Sequence, residues 1–226
     1  MKKRSLVLLV ALLALVGCTA KKPTTPSPGT TQPAPATQEP TQPKVKQWKE
    51  APAMQIDPAK KYNATIKTSL GDMTFELWPN LAPKTVNNFV FLSKEKFYDG
   101  VVFHRIIKDF MVQTGDPTGT GKGSPGYRFN DELPVKNSYV KGTLAMANSG
   151  PNTQGSQFFI CTGPSCQGLD NVPNYTQFGK LTAGEEILDK IASVEVVDVE
   201  VAPGKKEHSK PATPPKILSV DIQEVK

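Results

Sequence analysis

The sequence predicts a mainly β fold, an antiparallel barrel or sandwich carrying two helices, from about residue 60 to the end of the 226-residue chain. Short apolar or alternating runs recur from Ala64 to Val225, while only two stretches space their apolar residues as helices do. Many strands with so few helices favour antiparallel pairing over a parallel α/β sheet. The length suffices for one core and argues against two domains.

The elements follow in order. Ala64 and Ile66 alternate with Thr65 and Lys67, a turn spans Ser69 to Asp72, and Met73, Phe75 and Leu77 alternate with Thr74 and Glu76, which reads as a β-hairpin. Pro83 suits a first helical turn, and Val86, Phe89, Val90 and Phe97 continue an apolar stripe toward Asp99-Gly100. Strands are expected at 101–107, 110–114, 143–148, 156–161 and 177–181. Thr182 with Glu185 offers a capping box for a second helix, with Ile187, Leu188 and Ile191 on one face. Strands at 194–201 and 217–225 end the chain, the latter alternating Leu218, Val220 and Ile222 with polar residues.

The N-terminal part is of a different kind. Lys2, Lys3 and Arg4 precede the unbroken apolar run Leu6 to Val16, too short to span a bilayer comfortably and ordered like a secretory signal. Leu15-Val16-Gly17-Cys18 resembles a bacterial lipobox, which implies cleavage before Cys18 and a lipid on its thiol; a plain signal peptide with a chance cysteine is the bland alternative. From Thr19 to about Pro58 the chain is rich in Pro, Thr, Gln and Lys, and seven of its 21 prolines lie between Lys21 and Pro43. Such a segment buries too little apolar surface to offset its ordering entropy and is expected to be a semi-extended tether. The expected organisation is a signal peptide at 1–17, a lipidated Cys18 and disordered tether at 18–58, and one domain at 59–226. The expected location is extracytoplasmic, lipid-anchored to a bacterial membrane.

Loss of Lys2, Lys3 and Arg4 takes the formal charge from +6 to +3. The remaining lysines are scattered, with no basic stripe interleaved with aromatics, so no nucleic-acid partner is expected. Cys161 and Cys166 are left; export permits a disulfide between them, but their spacing does not require one.

Several chemistries lack their groups. Gly121 to Gly126 satisfies Gly-x-Gly-x-x-Gly, yet no apolar helix follows and Pro125 removes an amide, so Gly115 to Gly126 reads as a flexible surface loop. The only histidines are His104 and His208, with no second His, Cys or acid at ligand spacing from His104, so no metal is expected. No Ser stands in a nucleophile-elbow context, which leaves His104 as a packed, hydrogen-bonded scaffold residue. The informative stretch is Phe103 to Asp116, where Arg105 sits among aromatic and aliphatic residues with Gln113 eight positions on. A cation beside an apolar surface is costly unless something needs it there.

Phe103-His104-Arg105-Ile106-Ile107 with Phe110-Met111-Val112-Gln113-Thr114-Gly115-Asp116, then Met146 to Thr153 and Gly155-Ser156-Gln157-Phe158-Phe159-Ile160, closely resemble the two signature stretches of the cyclophilins, peptidyl-prolyl cis-trans isomerases. The likeness runs from about Tyr62 to the C-terminus, including Phe178-Gly179-Lys180. It implies a closed barrel of eight antiparallel strands capped by two helices. It also implies a site with Arg105, Phe110, Met111 and Gln113 on one wall and Ala147, Asn148, Gln157, Phe159, Leu169 and Tyr175 on the rest. Arg105 and Gln113 would be catalytic and the others substrate-binding, although Met111 and Phe159 also fit plain core and Gln157 fits a brace for Arg105. Proline-containing segments of exported proteins would be the substrates, and amide rotation needs no cofactor. A non-catalytic binding module or chaperone for such segments is the alternative.

The chain departs from the family pattern between Thr162 and Tyr175. Gly168 precedes Leu169-Asp170 where many members carry tryptophan, Tyr175 replaces a common histidine, and Asn171 to Asn174 looks two residues longer than usual. Cyclosporin binding is expected to be weakened by the absent tryptophan.

Overall fold

The computed structural model describes residues 45–225. The signal peptide, Cys18 and most of the tether lie outside the described residues. The hairpin forms as β1 (Lys61–Thr68) and β2 (Gly71–Leu77), with Ala64, Ile66, Met73 and Phe75 fully buried on one face. Helix α1 (Pro83–Lys94) starts on its proline and turns Val86, Phe89 and Val90 into the core. Then come β3 (Arg105–Ile107), β4 (Met111–Thr114), β5 (Thr143–Met146), β6 (Phe158–Cys161) and a 3-10 helix, Pro164–Asn171. The chain continues with β7 (Gln177–Ala183), α2 (Glu185–Ala192), β8 (Val196–Ala202), β9 (Lys205–Pro211) and β10 (Ile217–Val225).

Eight strands make one curled antiparallel sheet in the order β10-β1-β2-β7-β5-β6-β4-β3, and β8 pairs only with β9. The barrel is not closed, contrary to expectation: among the described residues β10 and β3 share no ladder. An isolated bridge between Val102 and Lys216 and a bond from the Phe103 amide to the Pro215 carbonyl (2.9 Å) span the seam. β3 is only three residues long, and Pro214 and Pro215 before β10 lack the amides a ladder would use.

The core divides by strand face. Val112, Leu144, Phe158 and Ile160 join Phe75, Phe89, Phe103 and Phe178 inside the curl. Met111, Ala145, Phe159 and Cys161, from the same strands, form a second cluster on the opposite face with Tyr139 and Cys166.

Three local expectations change. The capping box does not form, because β7 extends through Thr182, whose hydroxyl donates to the Thr74 carbonyl (3.1 Å), and α2 is capped by Gly184 at φ 88°. A side chain there would meet the Asp72 carbonyl at 2.3 Å, so glycine is required. The stretch around His208, which lies between the strands expected at 194–201 and 217–225, forms strand β9. Residues 45–58, assigned to the tether, are docked on the domain. Trp48 meets Phe91 and Phe97 with ring centroids 5.2 and 5.9 Å away, Ile56 is buried, and the Asn87 side chain bonds the backbone of Pro52, Ala53 and Gln55. Apolar residues this sparse give no periodic signal, although two suffice to dock an irregular segment.

Candidate active site

Strand register assembles the site. Arg105 lies opposite Gln113, Gln113 opposite Phe159, and Phe159 opposite Ala145, a row across β3, β4, β6 and β5. Side chains alternate faces, so this row lies away from the main core, and Met111, opposite Cys161, lies on the next. The sequence-predicted residues thus meet because short strands pair in register, not because they are close in the chain.

An apolar floor forms on this face. Met111 and Phe159 are buried, and Phe110, Ala147, Leu169 and Tyr175 pack around them. Tyr175 meets Phe159 edge-on at 5.5 Å. Two further features hold the floor. The Tyr139 hydroxyl donates to the Tyr175 carbonyl (2.6 Å) while its amide donates to the Asp170 carboxylate (2.9 Å), and burial pushes its phenol up to about 12. The Cys161–Cys166 disulfide, left open by the sequence, joins the end of β6 to the 3-10 helix that carries Leu169.

The polar wall is a chain of side chains. Gln113 Nε2 donates to Gln157 Oε1 (3.0 Å), and Gln157 Nε2 donates to the carbonyls of Gly121 (3.1 Å) and Gly123 (2.9 Å). The glycine-rich stretch is therefore organised rather than a loose surface loop, and Asp116 is the reason. Its carboxylate accepts from the Thr118 amide and hydroxyl, both at 2.7 Å, and from the amides of Thr120 and Gly123, both at 3.1 Å. Burial would raise that carboxyl, but the bonds from Thr118 and Gly123 outweigh it and bring the pKa below the ordinary value. Beside the wall lies a cavity of about 250 Å³ lined by Gln113, Ala147, Asn148 and Gln157, with Lys122 and Arg128 also on its wall. Gln113 and Ala147 thus join the apolar floor to the cavity. The Asn148 side chain is engaged by the Asn174 carbonyl (2.8 Å).

Arg105 stands at the edge of the floor. Its Nη1 approaches Gln113 Oε1 at 3.5 Å and Met111 Sδ at 3.9 Å. Its other edge meets a residue that the sequence reading missed: Nε and Nη2 donate to the two oxygens of Glu207, on β9, at 2.7 and 2.8 Å. The Arg105 hydrogen bond holds the Glu207 carboxyl down at about 2. Glu207 sits in Lys205-Lys206-Glu207-His208, which reads as a solvated charge run; its alternation with the inward-facing Ser209 and Pro211 carries no apolar pattern until the pairing is seen. His104, read from the sequence as a packed scaffold residue, has both ring nitrogens buried, and burial lowers its pKa.

Comparison with known proteins gives the same family. The chain is 53% identical over 142 residues to a peptidyl-prolyl cis-trans isomerase-like 2 protein of Cryptococcus neoformans, covering 60% of this chain and 24% of that protein, so it spans about a quarter of that relative. It is 45% identical over 135 residues to an Arabidopsis thaliana peptidyl-prolyl cis-trans isomerase, covering 58% of this chain and 80% of the relative. A crystal structure of a Cryptosporidium parvum cyclophilin type peptidyl-prolyl cis-trans isomerase, determined in the presence of the dipeptide Ala-Pro, superimposes with a TM-score of 0.63 at 36% identity, over 71% of this chain and 98% of that one. The family model for cyclophilin type peptidyl-prolyl cis-trans isomerases matches residues 63–222, and by that match the chain belongs to the cyclophilin family.

Proposed function

We propose that this chain is a peptidyl-prolyl cis-trans isomerase that accelerates X-Pro amide rotation in exported proteins and so assists their folding outside the cytoplasm. The observation that carries the reading is a guanidinium held at the rim of an apolar floor, with its Nη1 directed toward Gln113 and Met111. The barrier is rotation about a partly double bond, about 18–20 kcal/mol, and no covalent bond need break. As the amide twists, resonance is lost and the prolyl nitrogen becomes a better acceptor. A cationic donor aimed at it stabilises the twisted form more than either planar form, which is what acceleration requires.

In this reading Arg105 donates to the prolyl nitrogen. Gln113, fixed by Gln157, and the Asn148 backbone hold the substrate chain, while Phe110, Met111, Phe159 and Leu169 enclose the ring and exclude water. Ala147, Gln157 and Tyr175 complete the walls. One charge-assisted hydrogen bond, about 1.5–3 kcal/mol, supplies roughly ten- to a hundredfold. Desolvation and restriction of the bound chain supply the remainder. The neighbour solved with Ala-Pro supports a proline-containing substrate. The signal-like residues 1–17 and Cys18 support a lipid-anchored, extracytoplasmic location, and the Cys161–Cys166 disulfide fits an oxidising compartment. Gly168, where many family members carry tryptophan, supports weak cyclosporin binding.

The test is turnover of a Pro-containing peptide by wild type and Arg105→Ala, with melting curves for both. The variant is expected to keep the cooperative melt of a folded domain, lowered by no more than the loss of the Glu207 pair, and to lose about a hundredfold in kcat/KM. Undiminished turnover would sink the assignment, and a wild type that binds the peptide without turning it over would leave the binding-module reading in its place.

A further inference from the structure

The Glu207 contact is the polar arrangement of the site that the reaction as described does not use. It is a built one: both carboxylate oxygens bond the guanidinium, at 2.7 and 2.8 Å, and the side chains are only 33% and 26% exposed for Arg105 and Glu207. A bidentate pair fixes the plane of a guanidinium, which a single hydrogen bond does not. The atoms chosen matter. Glu207 takes Nε and Nη2, the side of the fork, while Nη1 keeps only long approaches to the neutral Gln113 and Met111. The donor that faces the apolar floor is therefore aimed by Glu207 and not consumed by it. Among the described residues Glu207 is the one ion-pair partner of Arg105.

The position of Glu207 is itself over-determined. β9 lies outside the eight-stranded sheet, is paired with β8 through Val199 opposite Glu207, and runs beside β3. Along β9 the side chains alternate: His208 faces out to Asp198, while Glu207 and Ser209 face in, and Ser209 is buried. The hairpin packs on the domain through Val196 and the buried Pro211 and leaves Val197 and Val201 exposed. What it delivers to the site is one carboxylate.

We propose that Glu207 is a positioning residue of the isomerase site, held by the β8–β9 hairpin to orient the Arg105 guanidinium so that Nη1 meets the prolyl nitrogen as the amide twists. This rests on the isomerase reading above. Because the twisted amide exists only near the transition state, misaiming Arg105 should slow the chemical step and leave ground-state peptide binding nearly unchanged.

The experiment measures kcat and KM separately for wild type, Glu207→Gln, Glu207→Asp, Arg105→Ala and the Arg105→Ala/Glu207→Gln double variant, with a melting curve for each. Glu207→Gln, which cannot accept both guanidinium donors, is expected to lower kcat about tenfold with KM within about twofold. Glu207→Asp, which keeps the charge, should recover part of that loss. In the Arg105→Ala background, removing the carboxylate should change kcat less than about twofold, because Glu207 acts through Arg105. Unchanged or raised kcat in Glu207→Gln overturns the proposal, and so does a tenfold loss that persists without Arg105, since that would be a general structural effect. These outcomes leave the isomerase reading standing so long as wild type turns over and Arg105→Ala does not; a wild type without turnover removes both.

Discussion

At the scale of residues, Arg105 and Glu207 carry opposite histories. Arg105 is legible in the sequence because a cation among Phe103, Ile106, Ile107 and Phe110 is anomalous; Glu207 is not, because a glutamate among lysines looks like any solvated charge. Only the β8–β9 register, with its two bulges, turns that glutamate inward. The pair has a pH signature. Glu207's carboxyl lies at about 2 in the fold against an ordinary value of 4.5, chiefly through the Arg105 hydrogen bond. A depressed folded pKa means that the unfolded chain binds the proton more readily. The stabilisation is then fully present above about pH 4.5 and is lost as pH falls toward 2. Wild type should therefore lose melting temperature across that window more steeply than Glu207→Gln, in which the group is absent. Parallel pH–melting curves for the two would mean that the pair adds nothing to stability in solution.

At the scale of elements, apolar pattern is what makes a segment legible in the sequence. The β1–β2 hairpin, α1 and β10 alternate or repeat their apolar residues, the strands under the site are short apolar runs, and the structure has them within a few residues of expectation. That pattern is silent where backbone geometry decides. α2 is capped by Gly184 in a left-handed conformation rather than by Thr182, because Thr182 lies at the register shift between β2 and β7 and its hydroxyl donates to the Thr74 carbonyl. The 3-10 helix Pro164–Asn171 has only Cys166 buried, so it lacks an apolar stripe to announce it. It is held to the domain by the Cys166 disulfide, by bonds from the Tyr139 amide to Asp170 and from the Ser165 amide to the Asp109 carbonyl (3.1 Å), and by Leu169 packed on the floor. Because Leu169 is carried on this short helix, Cys166→Ser should loosen one wall of the floor. The loss of a short-loop cross-link is expected to destabilise by about 2 kcal/mol, seen as a lower melting temperature. KM for a proline peptide should rise while kcat changes little, since Arg105 and Gln113 stand on β3 and β4. A fall in kcat with constant KM would place Leu169 in the chemical step instead.

At the scale of the whole molecule, the question is where the domain begins. Composition places the boundary at Pro58, because prolines, threonines and glutamines dominate up to it. Packing places it earlier, since an irregular segment needs anchors rather than period. Trp48 against Phe91 and Phe97, its amide bonded to the Pro125 carbonyl (2.8 Å), and buried Ile56 are three such anchors. The Trp48 carbonyl comes so close to Gly126 that a side chain there would meet it at 2.5 Å, and Gly126 sits at φ 96°, so this glycine serves the docking and not a phosphate. The segment is also tied to α1, where Asn87 spends its whole amide on residues 52–55. A variant that begins at Pro58 would expose Phe91 and give the bonds of Asn87 over to water. Burial of one large apolar side chain is worth about 1.5–3 kcal/mol. The shortened variant should therefore melt several degrees below one that begins at Val45, by roughly 4–8 °C for each kcal/mol lost in a small domain and less in a larger one. Because Trp48 bonds Pro125 beside the loop that bears Gly121 and Gly123, turnover should also fall, through Gln157 and Gln113. Equal melting temperatures for the two lengths would return residues 45–58 to the tether.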